Sequence, residues 1–160
     1  MKKRWFIYII IGVLFGVFDF FYQEFTEGMA TSYAMWFVVA WAIWLIPIIP
    51  VVIYEAKVSK SSVMSALANV LTWSVSTISY YLFIPIKLIF IGQATRIEMY
   101  ISNYRDQFYW SNLKSILLGD VLSGIVRWIG VAIVGGFITG FLISFIYLSL
   151  RKIRNVKIDL

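Results

Sequence analysis

The chain has 160 residues, of which 61% are hydrophobic, 19% aromatic and only 14% charged, with a net charge of +6. Soluble domains carry roughly 45–50% apolar and about 25% charged residues, so the composition points to a lipid bilayer and excludes disordered, collagen-like and disulfide-scaffold proteins. Cys and His are absent, which removes thiol redox relays, zinc or haem held by those side chains, and a Ser-His-Asp triad.

About 20 residues at 1.5 Å each cross a hydrocarbon core of roughly 30 Å, and four stretches are long enough. They run from Trp5 to Tyr22, Ala34 to Tyr54, Ser62 to Phe90 and Trp128 to Leu150. The expectation is an all-α polytopic membrane protein, a single domain over residues 1–160 with four transmembrane helices. Lys2, Lys3 and Arg4 precede the first stretch, Lys57 and Lys60 separate the second from the third, and Arg151, Lys152, Arg154 and Lys157 follow the fourth. Such clustering reads as topology and not as nucleic-acid binding: it places both termini on the cytoplasmic side of a plasma (inner) membrane. The first stretch is read as an uncleaved anchor, the small residues Ala30-Thr31-Ser32 being the alternative cleavage site.

The first helix holds Gly12 and Gly16 at GxxxG spacing, which lets a neighbouring backbone approach closely, and Asp19 follows on nearly the same face. In the second, Pro47 and Pro50 remove two backbone donors and predict a kink or early unwinding in its cytoplasmic half. In the third, Ser62, Ser65, Asn69, Thr72, Ser76 and Ser79 alternate at spacings of three and four, forming one polar stripe. This stripe either lines a wet path or hydrogen-bonds a neighbouring helix. Ala132, Gly136, Gly140 and Ser144 of the fourth form a small-residue ladder. Running the two helices antiparallel puts Asn69 near Ser144, Thr72 near Gly140 and Ser76 near Gly136.

Between the third and fourth spans, Ile97, Tyr100, Ile101, Tyr104 and Phe108 share a face opposite Glu98, Ser102, Arg105 and Asp106, which predicts an amphipathic helix over residues 97–110 on the outer surface. The apolar segment from Ile116 to Val126 either extends the fourth helix or forms a separate short one. Its Asp120 lies two turns from Arg127. Asp19, Lys87, Asp120 and Arg127 are then expected in one layer near the outer leaflet, as a charge-balanced site or as interfacial ion pairs with snorkelling cations.

Leu118-Gly119-Asp120 resembles the GxGD motif of intramembrane aspartyl proteases, although Leu117 stands where that motif has its first glycine and those families have more spans. The opening helix, with Gly12 and Asp19, is similar to that of GtrA-type four-helix proteins implicated in moving lipid-linked sugars, whose following Asn and basic-aromatic segment are absent here. The resulting expectation is a non-enzymatic membrane protein that transports or admits an ion or a small polar or lipid-like solute. The alternative is an accessory or assembly subunit of a larger complex. No metal or cofactor is expected. Membrane lipid and either a second copy or a membrane-protein partner are.

Overall fold

The computed structural model describes residues 2–27, 32–91, 105 and 107–158. Its elements are α1 (Lys2–Glu27), α2 (Tyr33–Ala42), α3 (Leu45–Ser59), α4 (Ser62–Ile91), α5 (Tyr109–Ile116), a π-helical segment (Leu117–Leu122) and α6 (Ser123–Ile158). Three helical stretches are long and apolar enough to cross a membrane: Lys3–Thr26, Ser62–Phe90 and Tyr109–Arg154. The amphipathic segment expected over residues 97–110 and the Ala30-Thr31 site lie mostly outside the described residues. Of the former, Tyr109 is buried and Trp110 is exposed at the start of α5.

The second expected span is two helices. Ser32 opens α2 by accepting a 3.2 Å hydrogen bond from the Met35 N–H. The ladder then tightens at Ile43-Trp44, where Trp44 N–H bonds Trp41 O at 3.2 Å and Ile46 N–H bonds Ile43 O at 3.1 Å. The break precedes the prolines because Pro47 has no N–H for the Ile43 carbonyl and its ring displaces that carbonyl. Pro47 thereby sits in the first turn of α3, where a missing donor costs little, and Pro50 meets the Ile46 carbonyl one turn later. The interruption is therefore placed earlier than the prolines themselves.

A tight link returns α3 into α4. Lys60 takes a left-handed conformation (φ 53°) with its N–H on Ala56 O at 3.0 Å. The Ser61 hydroxyl then accepts from Met64 N–H at 3.3 Å, starting α4.

Three seams hold the bundle. Along α1 and α4, which run parallel, Gly12 lies against the Thr72 carbonyl and Val75, and Gly16 lies against the Ser76 carbonyl and Ser79. A Cβ at Gly12 would stand 2.8 Å from Thr72 O. Along α4 and α6, which run antiparallel, Gly140 meets Ala66 and Asn69, Gly136 meets Val70 and Trp73, and Gly124 meets Tyr81. The third seam is that of α3, which packs chiefly on α4 and also on α6, and the α2–α3 pair, antiparallel to α1, reaches that helix as well. Tyr22 bonds Val39 O at 3.3 Å, Phe15 packs edge-on against Trp44, and Tyr8 bonds Glu55 at 2.7 Å.

The α4–α6 register differs from the expected one. Ser144 approaches Ser62 O at 3.4 Å, and Asn69 bonds Gly136 O, a displacement of about two helical turns. The expected pairing aligned the helix ends as if Leu150 marked the edge of the bundle. In the structure the Trp73 indole lies over Gly135 and Gly136, which sets the register, and α6 projects beyond the bundle as far as Ile158.

The segment from Ile116 to Val126 belongs to a continuous helix. The α5 helix passes through the π segment into α6, and Ser123 Oγ bonds back to Gly119 O. The π turn inserts an extra residue into the ladder and rotates the face that α6 presents to its neighbours.

Candidate functional site

The polar stripe of α4 is buried and hydrogen-bonded. Ser65, Asn69, Thr72 and Ser76 are at most 1% exposed. Ser65 Oγ donates to Ser61 O at 2.8 Å, just before the start of α4, and Thr72 Oγ1 to Ala68 O at 3.0 Å within that helix. Asn69 Nδ2 donates to Gly136 O at 2.8 Å and to Thr139 Oγ1 at 3.1 Å, reaching α6. Ser76 Oγ donates to Gly12 O at 2.9 Å, reaching α1. The stripe therefore divides between two neighbours. The ladder of α6 forms the opposite wall: Ala132, Gly136, Gly140 and Ser144 are all buried, and Ser144 Oγ bonds Gly140 O at 2.8 Å.

The four residues expected to share an outer layer stand at similar heights on two different sides. Phe20, Tyr80 and Val121 belong to one apolar cluster, which brings α1, α4 and the π segment to a common level. Asp19 and Lys87 lie inside, on the α1–α4 seam, 1% and 7% exposed. Asp120 and Arg127 are exposed on the outside of the long helix and pair with no described residue. The rotation of side-chain directions through the π segment, together with burial of the opposite side of that helix against α4, leaves these two on the outer face.

Around Asp19 the structure adds Gln23, Glu24 and Tyr80. Asp19 Oδ2 accepts from Gln23 Nε2 at 2.9 Å, and Tyr80 OH donates to Gln23 Oε1 at 3.0 Å. This chain of bonds orients the amide, whose carbonyl oxygen accepts from the phenol while its NH₂ end donates to the carboxyl group. Asp19 and Gln23, and likewise Phe20 and Glu24, are one turn apart on α1, and Phe20, Gln23 and Glu24 reach α4. Lys87 pairs with Glu24, and its ammonium stands 5.0 Å from the Phe20 ring centroid and 5.7 Å from that of Phe21. Among the described residues a carboxylate and two ring faces hold this cation inside an apolar helix pair.

A second buried charge cluster lies at the opposite end of α1, against α3, and it was not among the sequence candidates. Glu55 of α3 and Tyr8 of α1 are 0% and 1% exposed. Tyr8 OH donates to Glu55 Oε2 at 2.7 Å. Arg4 Nη1 stands 3.6 Å from Glu55 Oε1, a separation of ion-pair and not hydrogen-bond length. Arg4 and Tyr8 are one helical turn apart, so α1 offers both to one carboxylate. One signal in the sequence marks this cluster: Glu55 is the lone acid between Pro50 and Lys60, at the end of an apolar run and two residues before Lys57.

Between the two clusters the α1–α4 seam is closed by glycine contacts and by the Ser76 hydrogen bond. The groups available are carboxylates, ammonium, guanidinium, phenols and amides, a set suited to holding and exchanging charge. Among the described residues no group of acids has the arrangement of a metal site. No family model, curated protein or solved structure matches this chain.

Proposed function

We propose that the chain is a four-crossing, non-enzymatic protein of the plasma (inner) membrane, with both termini cytoplasmic, that transports or admits an ion or a small polar or lipid-like solute. Support for the fourth crossing comes from the α2–α3 pair, which accompanies α1 from the level of Tyr22 to that of Tyr8. Fourteen residues of α1 separate those levels, about 21 Å of rise. The crossing is a broken helix, as at many transporter sites. Support for the orientation comes from the basic residues gathered at the end where α3 turns into α4.

One observation carries the transport reading: charged clusters enclosed by the bundle stand at both ends of α1, Asp19, Glu24 and Lys87 against α4 at one and Arg4 and Glu55 against α3 at the other. Ionisable groups inside membrane helices are costly, and they commonly mark ion or solute pathways. On this reading the two ends of α1 act on the solute, and the α4 stripe holds the helices together. The alternative, an accessory or assembly subunit acting as a second copy's or another protein's partner, draws its support from the use of the whole stripe and ladder for packing.

Reconstitution in liposomes tests the proposal, using a panel of cation, anion and lipid-translocation assays. Flux in one arm that falls at least tenfold in both Asp19→Asn and Glu55→Gln, with proteins that still melt cooperatively, is the expected result. Absence of flux in every arm, together with a stoichiometric foreign subunit after gentle solubilisation, would replace transport with the accessory role.

A further inference from the structure

The charges of the chain are sorted along the bundle. At the end where α3 turns into α4, Lys3, Lys57, Lys60, Lys152 and Arg154 are exposed and Arg151 is half-exposed. The acid at this end among the described residues is Glu55, which is fully buried and engaged by Arg4 and Tyr8. Asp19, Glu24 and Asp120 belong to the other end. The surface cations of the basic end therefore face solvent or headgroups with no exposed described acid beside them.

One place at this end has more structure than a diffuse basic collar. Lys57 of α3 stands over the ring of Tyr147 of α6, 6.0 Å from its centroid. Arg151 follows Tyr147 by one turn on the same side of α6, so the helix face that meets Lys57 at the α3–α6 junction carries a guanidinium beside the phenol. Apolar side chains flank them along α6: Ile146 and Leu150 are 56% and 63% exposed. Two cations and a phenol beside exposed aliphatic surface match a phosphodiester with acyl chains attached. They match a free anion poorly, because the aliphatic contacts would go unused. Tyrosine rings favour this depth in membrane proteins, and basic residues here attract anionic lipid.

We propose that the α3–α6 junction binds the phosphate of one anionic phospholipid per chain, held by Lys57, Tyr147 and Arg151. The site is independent of the transport reading and of the charge clusters that support it.

The test is native mass spectrometry of the full chain released from nanodiscs of phosphatidylcholine with or without phosphatidylglycerol. The expected result is one retained phosphatidylglycerol, with occupancy about fivefold lower for each cation removed in Lys57→Gln and Arg151→Gln. The pair Lys3→Gln and Lys152→Gln, with the same change in net charge, should retain the lipid. Melting temperatures of both pairs report that the fold is intact, since all four side chains are surface groups. Equal retention of the two lipids, or equal loss in the control pair, would overturn the site. Displacement of phosphatidylglycerol by millimolar inorganic phosphate would overturn it in favour of a free-anion site.

Discussion

The Tyr8 hydroxyl donates a 2.7 Å hydrogen bond to a Glu55 carboxylate that is entirely removed from solvent, and this bond fastens the start of α1 to the end of α3. A hydrogen bond to a charged group contributes about 1.5–3 kcal/mol. Tyr8→Phe should lower stability by about that amount, read from denaturant or thermal unfolding in micelles. Arg4→Leu should cost more, about 3–5 kcal/mol, because it leaves the buried carboxylate without its cation. Wild-type unfolding in both variants would show that the cluster does not hold the helices together.

The glycines of the bundle separate into packed and open positions. At Gly16 a Cβ would overlap the Ser76 carbonyl, whereas at Gly130 it would meet nothing within 4 Å. Gly16→Ala should therefore weaken the α1–α4 seam by about 1–3 kcal/mol through overpacking. Gly130→Ala should leave stability unchanged or raise it by up to about 1 kcal/mol through helix propensity. Paired melting curves compare them directly, and similar shifts of the same sign would contradict the observed packing.

Asn69 bridges α4 to the Gly136 carbonyl and the Thr139 hydroxyl at 2.8 and 3.1 Å. Asn69→Leu removes both bonds and places branched carbons against Gly140, so a loss of about 1–3 kcal/mol is expected. If the stripe were a conduit instead, the same variant would abolish flux in protein of normal stability. Measuring unfolding and liposome flux on one preparation distinguishes these results.

The candidate layer divides into an inner and an outer pair with different consequences. Asp120→Asn and Arg127→Gln, on exposed positions without described partners, should each change stability by no more than about 0.5 kcal/mol. Lys87→Leu should be markedly destabilising, since it removes the cation of a partly buried pair with Glu24. The ordering of these three variants in a thermal-shift series is the check.

Lys60 adopts a left-handed conformation that glycine takes without the Cβ penalty. Lys60→Gly should raise stability by about 0.5–1 kcal/mol and sharpen the α3–α4 turn, measured by the unfolding midpoint.

Periodicity made much of this architecture legible. The helical class, three of the four long apolar stretches, the GxxxG of α1 and the small-residue ladder of α6 are all local patterns, and each becomes a helix or a seam in the fold. The interruption between Ala34 and Tyr54 was marked by Pro47 and Pro50, although it falls earlier because a proline disturbs the carbonyl four residues before it. The Glu55 cluster was hidden, since Arg4, Tyr8 and Glu55 come together through contact between α1 and α3 and not through any spacing along one helix.

By itself the sequence determined a bilayer composition, a chain without imidazole or thiol chemistry, and the faces that individual helices would offer to one another. Those properties follow from residue type and from the fixed 3.6-residue period, and they need no knowledge of neighbours. Tertiary structure decided the α4–α6 register, the division of the polar stripe between α1 and α6, and which charges are enclosed. Asp19 and Lys87 face an apposed helix, whereas Asp120 and Arg127, at the same height, do not. The reason is physical: equally spaced small residues permit several sliding positions between helices. Only the simultaneous fit of Trp73 over the glycines of α6, of Gly12 and Gly16 against α4, and of Tyr8 against Glu55 selects one of them.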